Sequence, residues 1–215
     1  MNDRADEGPA TVDPGQLAAL ASFSSATLHE AMGRIGALPA AIKPIDRDIR
    51  LCGPAFPVFC PAGDNLMIHK AIEAAAPGEI LVVDHEASMS DGPFGDVLAE
   101  ACQARGIAGL VIDGCVRDAT TLRAMGFPVF ARGLCIEGTD KLRTSPLGAP
   151  ITLGKTTVHR GDLVIGDEDG VVIVPHARIE EAIEAAHERE QKEDALRAAL
   201  RAGQTTMDLL GLRDR

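Results

Sequence analysis

The sequence predicts an α/β fold built on a mixed sheet or a small barrel, with a long helix near the C-terminal end. Three features predict it. Helical segments alternate with short apolar strands between residues 64 and 131, a pattern typical of parallel strands joined by crossover helices. Short strands follow residue 150, and a single charged helix begins at His176.

The first half of the chain starts with residues 1–14, which are polar, contain two Pro and one Gly, and are predicted to form a flexible arm. Apolar periodicity and capping residues then define the elements. The predicted elements of this half are two helical pieces between Gln16 and about Arg34 that break around 22–25, apolar segments at 49–60, a helix from Asp64 to about Ala76, and a buried strand at 80–83.

The second half repeats the helix-to-strand order and then changes character. Its predicted elements are helices at 95–105 and 119–125, strands at 107–112 and 128–131, short strands around 151–158, 163–165 and 171–174, and the helix from His176 to about Arg201. This last helix carries many charges and few apolar residues. We therefore expect it to pack on a neighbouring subunit, as part of an extension at 176–215 that follows a single domain at 15–175.

Composition excludes several classes of function. The 215 residues are 46% hydrophobic and 25% charged, as in a globular chain with one core. A net charge of −11 repels polyanions, so we expect no nucleic-acid partner. The five cysteines form no Cys-x-x-Cys pair, and the histidines, His85 among them, lack metal-ligand spacing. Apolar runs are too short for a membrane and no signal-peptide pattern occurs, so we expect a cytoplasmic protein.

Charged residues near two predicted turns form the most informative pattern. Asp96 opens the predicted helix at 95–105, and Arg117-Asp118 follows a central strand after 20 intervening residues. In open α/β sheets, ligands collect outside the carboxyl ends of strands, where a helix N-terminus presents unpaired amides to an anion. Arg binds carboxylates in a bidentate manner, and Asp supplies the oxygen ligands that Mg²⁺ or Mn²⁺ prefers. The pattern therefore predicts a site for a metal-bound small carboxylate.

Each of these residues also has a structural interpretation. Asp118 can cap the helix that follows it, and Arg117 can form a structural ion pair. Asp96 interacts favourably with the dipole of its own helix, and Gly95 can be a turn residue. The residue types alone leave both interpretations open.

Four stretches add a family resemblance, and they are CPAGDNLMIHKAIEAAAPGEILVVD (60–84), GDVLAEACQARGIAGLVIDGCVRD (95–118), FPVFARG (127–133) and VHRGDLVIGDEDGVVIVP (158–175). With them, the chain resembles the RraA-like family over roughly residues 20–212. This family comprises class II 4-hydroxy-4-methyl-2-oxoglutarate / 4-carboxy-4-hydroxy-2-oxoadipate aldolases and regulators of ribonuclease E activity. The Asp-x20-Arg-Asp spacing is the most specific part of the resemblance.

The resemblance implies a three-layer β/β/α fold of the swivelling type, assembled as a homotrimer or a dimer of trimers with sites between subunits. It implies that Asp118 holds a divalent metal and that Arg117 and Asp96 take part in catalysis. A Glu from the neighbour's C-terminal helix is also implied, with Glu193 as the best match and Glu190 next. The implied substrate-binding residues are Gly95, Asp96, Val97, Leu98 and Arg117.

The resemblance therefore implies a metal-dependent lyase acting on a small anionic keto or hydroxy acid, with Mg²⁺ or Mn²⁺ as cofactor. Cleavage of a carbon–carbon bond beta to a keto group leaves a pyruvate enolate, which a divalent cation stabilises, and oxaloacetate decarboxylation gives the same enolate. The segment 95–118 contains no Lys for a Schiff base. The alternative is a non-catalytic regulator of the ribonuclease E type, in which an acidic surface binds a protein partner. That alternative is disfavoured by the intact Asp-x20-Arg-Asp spacing.

Overall fold

A computed structural model describes residues 12–213 and confirms the α/β class. A nearly closed, barrel-like mixed sheet lies between two layers of helices. Of the predicted arm at 1–14, residues 1–11 lie outside the described residues. The first helix already begins at Pro14, because the Asp13 carboxylate caps it by accepting from the amides of Gly15 and Gln16 at 2.8 and 3.2 Å.

Helices and strands occur close to the predicted positions, and three short elements, at 43–44, 133–134 and 206–209, are additional. The helices are α1 (Pro14–Ser22), α2 (Ser25–Ala31), α3 (Leu66–Ala74), α4 (Asp96–Ala104), α5 (Ala119–Met125), α6 (Ile179–Arg201) and α7 (Thr206–Leu209), with a 3-10 turn at His176–Arg178. The strands are β1 (Lys43–Pro44), β2 (Leu51–Phe59), β3 (Ile80–Ser88), β4 (Gly109–Val116), β5 (Val129–Ala131), β6 (Gly133–Leu134), β7 (Ile151–Leu153), β8 (Thr156–Val158), β9 (Leu163–Asp167) and β10 (Gly170–Val174).

The main sheet has the strand order β1-β5-β4-β3-β2-β9-β10, with β6 added beside β4. Strands β2 to β5 are parallel and are joined through α3, α4 and α5, whereas β1, β9 and β10 pair antiparallel. The Lys43 ammonium on β1 donates to the Asp169 carbonyl in the β9–β10 turn, so the two sheet edges approach each other. Because β2, β3 and β4 are parallel, their carboxyl ends lie together at one end of the sheet.

Side-chain alternation along the strands divides the core into three clusters. On β3, Leu81 and Val83 pack against α3, α4 and α5, while Ile80 and Val82 point into the barrel. The β7–β8 hairpin contributes to that inner cluster. The outer face of β9 and β10 is covered by α1, α2 and α6. No helix between residues 12 and 213 is long and apolar enough to cross a membrane.

The C-terminal helix packs within its own subunit along its first half only. Its first half contacts α1 and α2 of its own subunit, where Ile179, Ala182 and Ala186 are buried. The sparse apolar residues are therefore sufficient for one layer within the subunit. From residue 190 onward every side chain of α6 is half-buried or exposed, and the expected contact with a neighbouring subunit stays a prediction for this part.

A buried ion pair connects the start of β3 to the loop before β9. Glu79, 1% exposed, accepts from Arg160 Nε at 2.9 Å and Nη2 at 3.1 Å, and from the Ala76 amide at 2.7 Å. The Arg160 guanidinium also lies 4.5 Å above the Phe56 ring. The bidentate geometry and the extra amide donor satisfy the buried carboxylate.

We expect Glu79→Ala to lower the free energy of unfolding by about 3 kcal/mol, because it leaves the Arg160 charge half-buried without its partner. Chemical denaturation with a constant m-value would measure this loss. Glu73→Ala, at an exposed position on α3, is the control and should change stability by less than about 0.5 kcal/mol. An equal loss in the free energy of unfolding for the two variants would contradict a stabilising role of the Glu79–Arg160 ion pair.

Candidate functional site

Two loops meet where β3 and β4 end. The first, residues 89–95, leads from β3 into α4, and the second contains Arg117 and Asp118 between β4 and α5. The Arg117 amide donates to the Phe94 carbonyl at 2.9 Å, so the two loops are joined by their backbones. The structure thus brings together Asp96, Arg117 and Asp118, which the sequence separates by 20 residues.

Asp118 has an unusual backbone conformation, with φ 58° and ψ 33°, in the left-handed region that non-glycine residues rarely adopt. It occupies the N-cap position of α5 without making a capping hydrogen bond. Its Oδ2 instead lies 3.3 Å from the Asp96 amide nitrogen and 3.5 Å from Arg117 Nε. The structural interpretation of Asp118 as a helix cap is therefore wrong at the level of hydrogen bonding, and its carboxylate faces the start of α4.

Gly95 is required by this close approach. A Cβ at this position would lie 2.2 Å from Asp118 Oδ2 and 3.1 Å from Arg117 Cγ. The backbone of Gly95 is extended, with φ −147°, so the constraint is space rather than conformation. Gly95 is thus more than a turn residue, because its missing side chain makes room for the two charged groups.

The amides of Asp96, Val97 and Leu98 form the first turn of α4 and precede its first helical hydrogen bond, which Ala99 donates to the Gly95 carbonyl at 3.1 Å. Asp96 Oδ1 accepts from the Val97 amide at 2.7 Å, as expected for an acidic residue at a helix N-terminus. The Val97 side chain is 76% exposed, while that of Leu98 is buried. A ligand would therefore meet Leu98 through its amide only.

A cavity of about 440 Å³ opens beside these groups. Arg117 and Asp118 provide its charged groups, and the Arg117 side chain is about half exposed to solvent. The remaining lining is apolar and comprises Ala119, Leu134, Cys135 and Ile136. The cavity thus combines a cation, a carboxylate and an apolar wall, as a site for a small organic acid requires.

The donor set fits one class of metal ion. Among residues 12–213 no three His, Cys, Asp or Glu side chains cluster as a closed metal site, so a zinc centre built by the protein alone does not fit. Mg²⁺ and Mn²⁺ differ, because Mg²⁺ keeps several waters and takes one or two carboxylates together with ligand oxygens. The exposed Asp118 carboxylate, with Asp96 next to it, matches that requirement.

Glu193 and Glu190 lie on α6, and neither lines this cavity in its own subunit. Glu193 pairs with Arg189 at 2.9 Å and with Arg197 at 2.8 Å. A role for either Glu therefore requires another subunit.

The sequence analysis assigned no role to His85 and Asp91, two residues that support the first loop. His85 and Asp91 are buried and hydrogen-bonded to each other, and Asn65 donates to the Pro93 carbonyl at 2.9 Å. The available signal was the position of His85 at the end of a buried strand, which a search for metal-ligand spacing does not detect.

Comparisons with known proteins match this architecture. A family model described as RraA-like, Aldolase/RraA, matches residues 25–173. A protein of Halalkalibacterium halodurans named "Putative 4-hydroxy-4-methyl-2-oxoglutarate aldolase" is 32% identical over 173 residues, which cover 80% of this chain and 82% of the relative.

Two solved structures resemble the whole fold. An uncharacterized protein from Pseudomonas syringae pv. tomato has a TM-score of 0.79 at 27% identity, with 91% of this chain and 96% of the other covered. An unusual member of the RNase ES inhibitor RraA protein family from Streptomyces coelicolor has a TM-score of 0.75 at 30% identity, with 88% and 100% covered. The similar proteins thus include one named for aldolase activity and one named for inhibition.

The cavity predicts which thiol reacts in the native protein. Burial raises the pKa of Cys52 and Cys60 to about 11 and that of Cys102 to about 12, and it also raises the pKa of Cys115. At about pH 8 these thiols stay protonated, and all of them except Cys52 are buried as well, so we expect N-ethylmaleimide to modify Cys135, which lines the cavity, first. Peptide mass spectrometry of the native and denatured protein measures the order, and prior labelling of Cys102 would contradict it.

Proposed function

Since the chain belongs to the RraA-like family, we propose that it is a divalent-metal-dependent pyruvate aldolase. The proposed substrates are 4-hydroxy-4-methyl-2-oxoglutarate or 4-carboxy-4-hydroxy-2-oxoadipate, with oxaloacetate decarboxylation as a side activity. The observation that carries the proposal is that Arg117 and Asp118 line one cavity, while the Asp118 carboxylate lies 3.5 Å from Arg117 Nε and 3.3 Å from the Asp96 amide nitrogen in the first turn of α4.

Arg117 and α4 bind and orient the substrate. The guanidinium pairs with a substrate carboxylate, and the Leu98 amide in the first turn of α4 binds an anionic oxygen with the help of the helix dipole, because the Asp96 and Val97 amides already donate to Asp118 Oδ2 and Asp96 Oδ1. The loop backbone fixes the distance between these two groups through the Arg117–Phe94 hydrogen bond. Fixed donors of this kind accelerate a reaction because they need no reorganisation when negative charge develops.

Asp118, with Asp96 beside it, would hold Mg²⁺ or Mn²⁺. When bound, the cation supplies positive charge that stabilises the enolate left by carbon–carbon cleavage. Asp96 Oδ1 accepts from the Val97 amide, and the other oxygen of this half-buried carboxylate would hold a water molecule. This water takes the proton of the substrate hydroxyl when the carbon–carbon bond breaks and returns a proton to the enolate. No lysine lies between residues 95 and 118 to form a Schiff base.

We further propose that the protein assembles as a homotrimer or a dimer of trimers. The exposed second half of α6 supports this, because its charged face carries Glu193 outside its own subunit's cavity. In such an assembly Glu193 of a neighbour would complete the site.

A second candidate is a non-catalytic regulator that binds a ribonuclease of the E type. The observation that favours it is the similarity to an RNase ES inhibitor, together with the net charge of −11, which suits a basic protein partner. Tight binding to ribonuclease E that survives both chelation of metal and Asp118→Ala would support this candidate over the aldolase.

The main test is pyruvate release from oxaloacetate and 4-hydroxy-4-methyl-2-oxoglutarate, with Mg²⁺ or with EDTA. We expect release only with metal, and a loss in kcat of at least about 100-fold for Asp118→Asn, which removes the charge that binds the cation. Arg117→Lys should raise KM by about 10-fold, because Lys lacks the bidentate geometry.

Arg105→Lys at the opposite end of α4 is the matched control for Arg117→Lys and should leave both constants unchanged. Release that persists in EDTA would refute the metal-dependent route. No release from any substrate, with metal present, would refute the aldolase.

Gly95→Ala tests the close approach directly. The added methyl group displaces the Asp118 carboxylate or the Arg117 side chain, so we expect kcat/KM to fall by about 100-fold while the protein stays folded. Gly138→Ala is the matched control, because its methyl group would lie 3.9 Å from Arg117 Nη1, an ordinary contact. A loss of the same size in both variants would show that crowding at Gly95 is not the cause.

A further inference from the structure

His85 is a buried polar residue that the proposed chemistry does not use. It lies near the end of β3 and is 0% exposed. Its Nδ1 is 2.8 Å from the Cys60 carbonyl oxygen, and its Nε2 is 2.7 Å from Asp91 Oδ2. Both neighbours are oxygen acceptors, so each ring nitrogen that carries a hydrogen has a partner to donate to. The buried Asp91 carboxylate in turn needs donors, and His85 lies at hydrogen-bond distance from it.

Asp91 connects His85 to two further chain segments. Its Oδ2 also accepts from the Gly63 amide at 2.8 Å, and its Oδ1 accepts from the Ser88 hydroxyl. Burial alone would raise the pKa of Asp91, but the hydrogen bonds from Ser88, His85 and Gly63 outweigh it and lower the pKa below its usual value. Asp91 is therefore ionised near neutral pH.

The backbone around this pair is shaped to hold it. Glu86 and Ala87 adopt positive φ angles of 54° and 56°, and the pairing of β3 with β4 shifts register between Asp84 and Ser88. On β4, a Cβ at Gly114 would lie 2.9 Å from His85 Cδ2. Left-handed residues of this kind are energetically unfavourable and persist only where their surroundings determine them.

The pair lies at the start of the segment that leads to α4. After Asp91, the Gly92 amide donates to the Glu137 carbonyl at 2.9 Å, and Asn65 and Arg117 hold the carbonyls of Pro93 and Phe94. Each residue from 91 to 94 is therefore fixed by a neighbouring segment. Within this series, the His85–Asp91 hydrogen bond joins the end of β3 to the loop at 60–63, since His85 also contacts the Cys60 carbonyl and Asp91 also accepts from the Gly63 amide.

We propose that His85 and Asp91 are positioning residues that set the place of the α4 N-terminus relative to Arg117, so that both bind one substrate carboxylate. This inference rests on the proposed function. The pair then differs from an ordinary core contact, because loss of the His85–Asp91 hydrogen bond should weaken substrate binding and not only lower stability.

The test compares His85→Leu, His85→Gln and Asp91→Asn with Asp167→Asn. Asp167 is a matched control because it is also a buried carboxylate with three donors, from the Ser25 amide, the Ser25 hydroxyl and the Asp169 amide, and it lies on β9 away from α4. Steady-state kinetics of pyruvate release, thermal unfolding and hydrogen exchange of residues 92–98 are measured for each variant.

We expect His85→Leu and Asp91→Asn to lower kcat/KM by about 100-fold, mainly through KM, because the binding groups are misplaced. His85→Gln keeps a donor towards Asp91 and should stay within about 5-fold of the unmodified protein. Asp167→Asn should lose stability without a change in KM. Kinetics of His85→Leu that match Asp167→Asn would overturn the proposal.

Hydrogen exchange separates this proposal from the proposed function. If the unmodified protein releases no pyruvate, the aldolase fails, and the exchange of residues 92–98 alone decides the positioning role. Faster exchange of this segment in His85→Leu than in Asp167→Asn supports it, and equal exchange overturns it.

Discussion

The candidate site depends on how closely the loop after β3 approaches the end of β4. Two glycines permit this approach. A Cβ at Gly92 would lie 2.3 Å from the Cys135 carbonyl oxygen, and one at Gly95 would meet the Asp118 carboxylate. With both side chains absent, the Phe94 carbonyl reaches the Arg117 amide. The positions of the Arg117 guanidinium, the Asp118 carboxylate and the N-terminus of α4 all follow from that backbone contact.

Much of the fold could be predicted from the sequence because its local signals agree. The strand predicted at 80–83 follows Pro77-Gly78 and begins where β3 begins, although β3 continues to Ser88, and the helix at 119–125 has the predicted bounds. The Asp96 and Arg117-Asp118 pair was also predictable, because strand ends in parallel sheets converge. Predicting these features requires only the periodicity of the apolar residues and the direction of the strands.

Other features arise from contacts that a linear pattern does not contain. The left-handed backbone of Asp118 depends on the loop opposite it, and the His85–Asp91 contact depends on a bulge in β3. The packing of α6 on α1 and α2 joins residues more than 150 positions apart, such as Leu20 and Ala186. Each of these is determined by tertiary packing and not by the intrinsic preference of the residues involved.

At Asp118 the left-handed backbone makes the residue that is best for stability different from the residue that supplies a carboxylate. Glycine relieves the steric cost of this backbone geometry, and asparagine tolerates it better than most residues, but both remove the negative charge. A chain that uses the fold only as a rigid surface gains stability from either residue. A chain that needs the carboxylate keeps the strained residue. Selection for catalysis and selection for stability therefore favour different residues at this position.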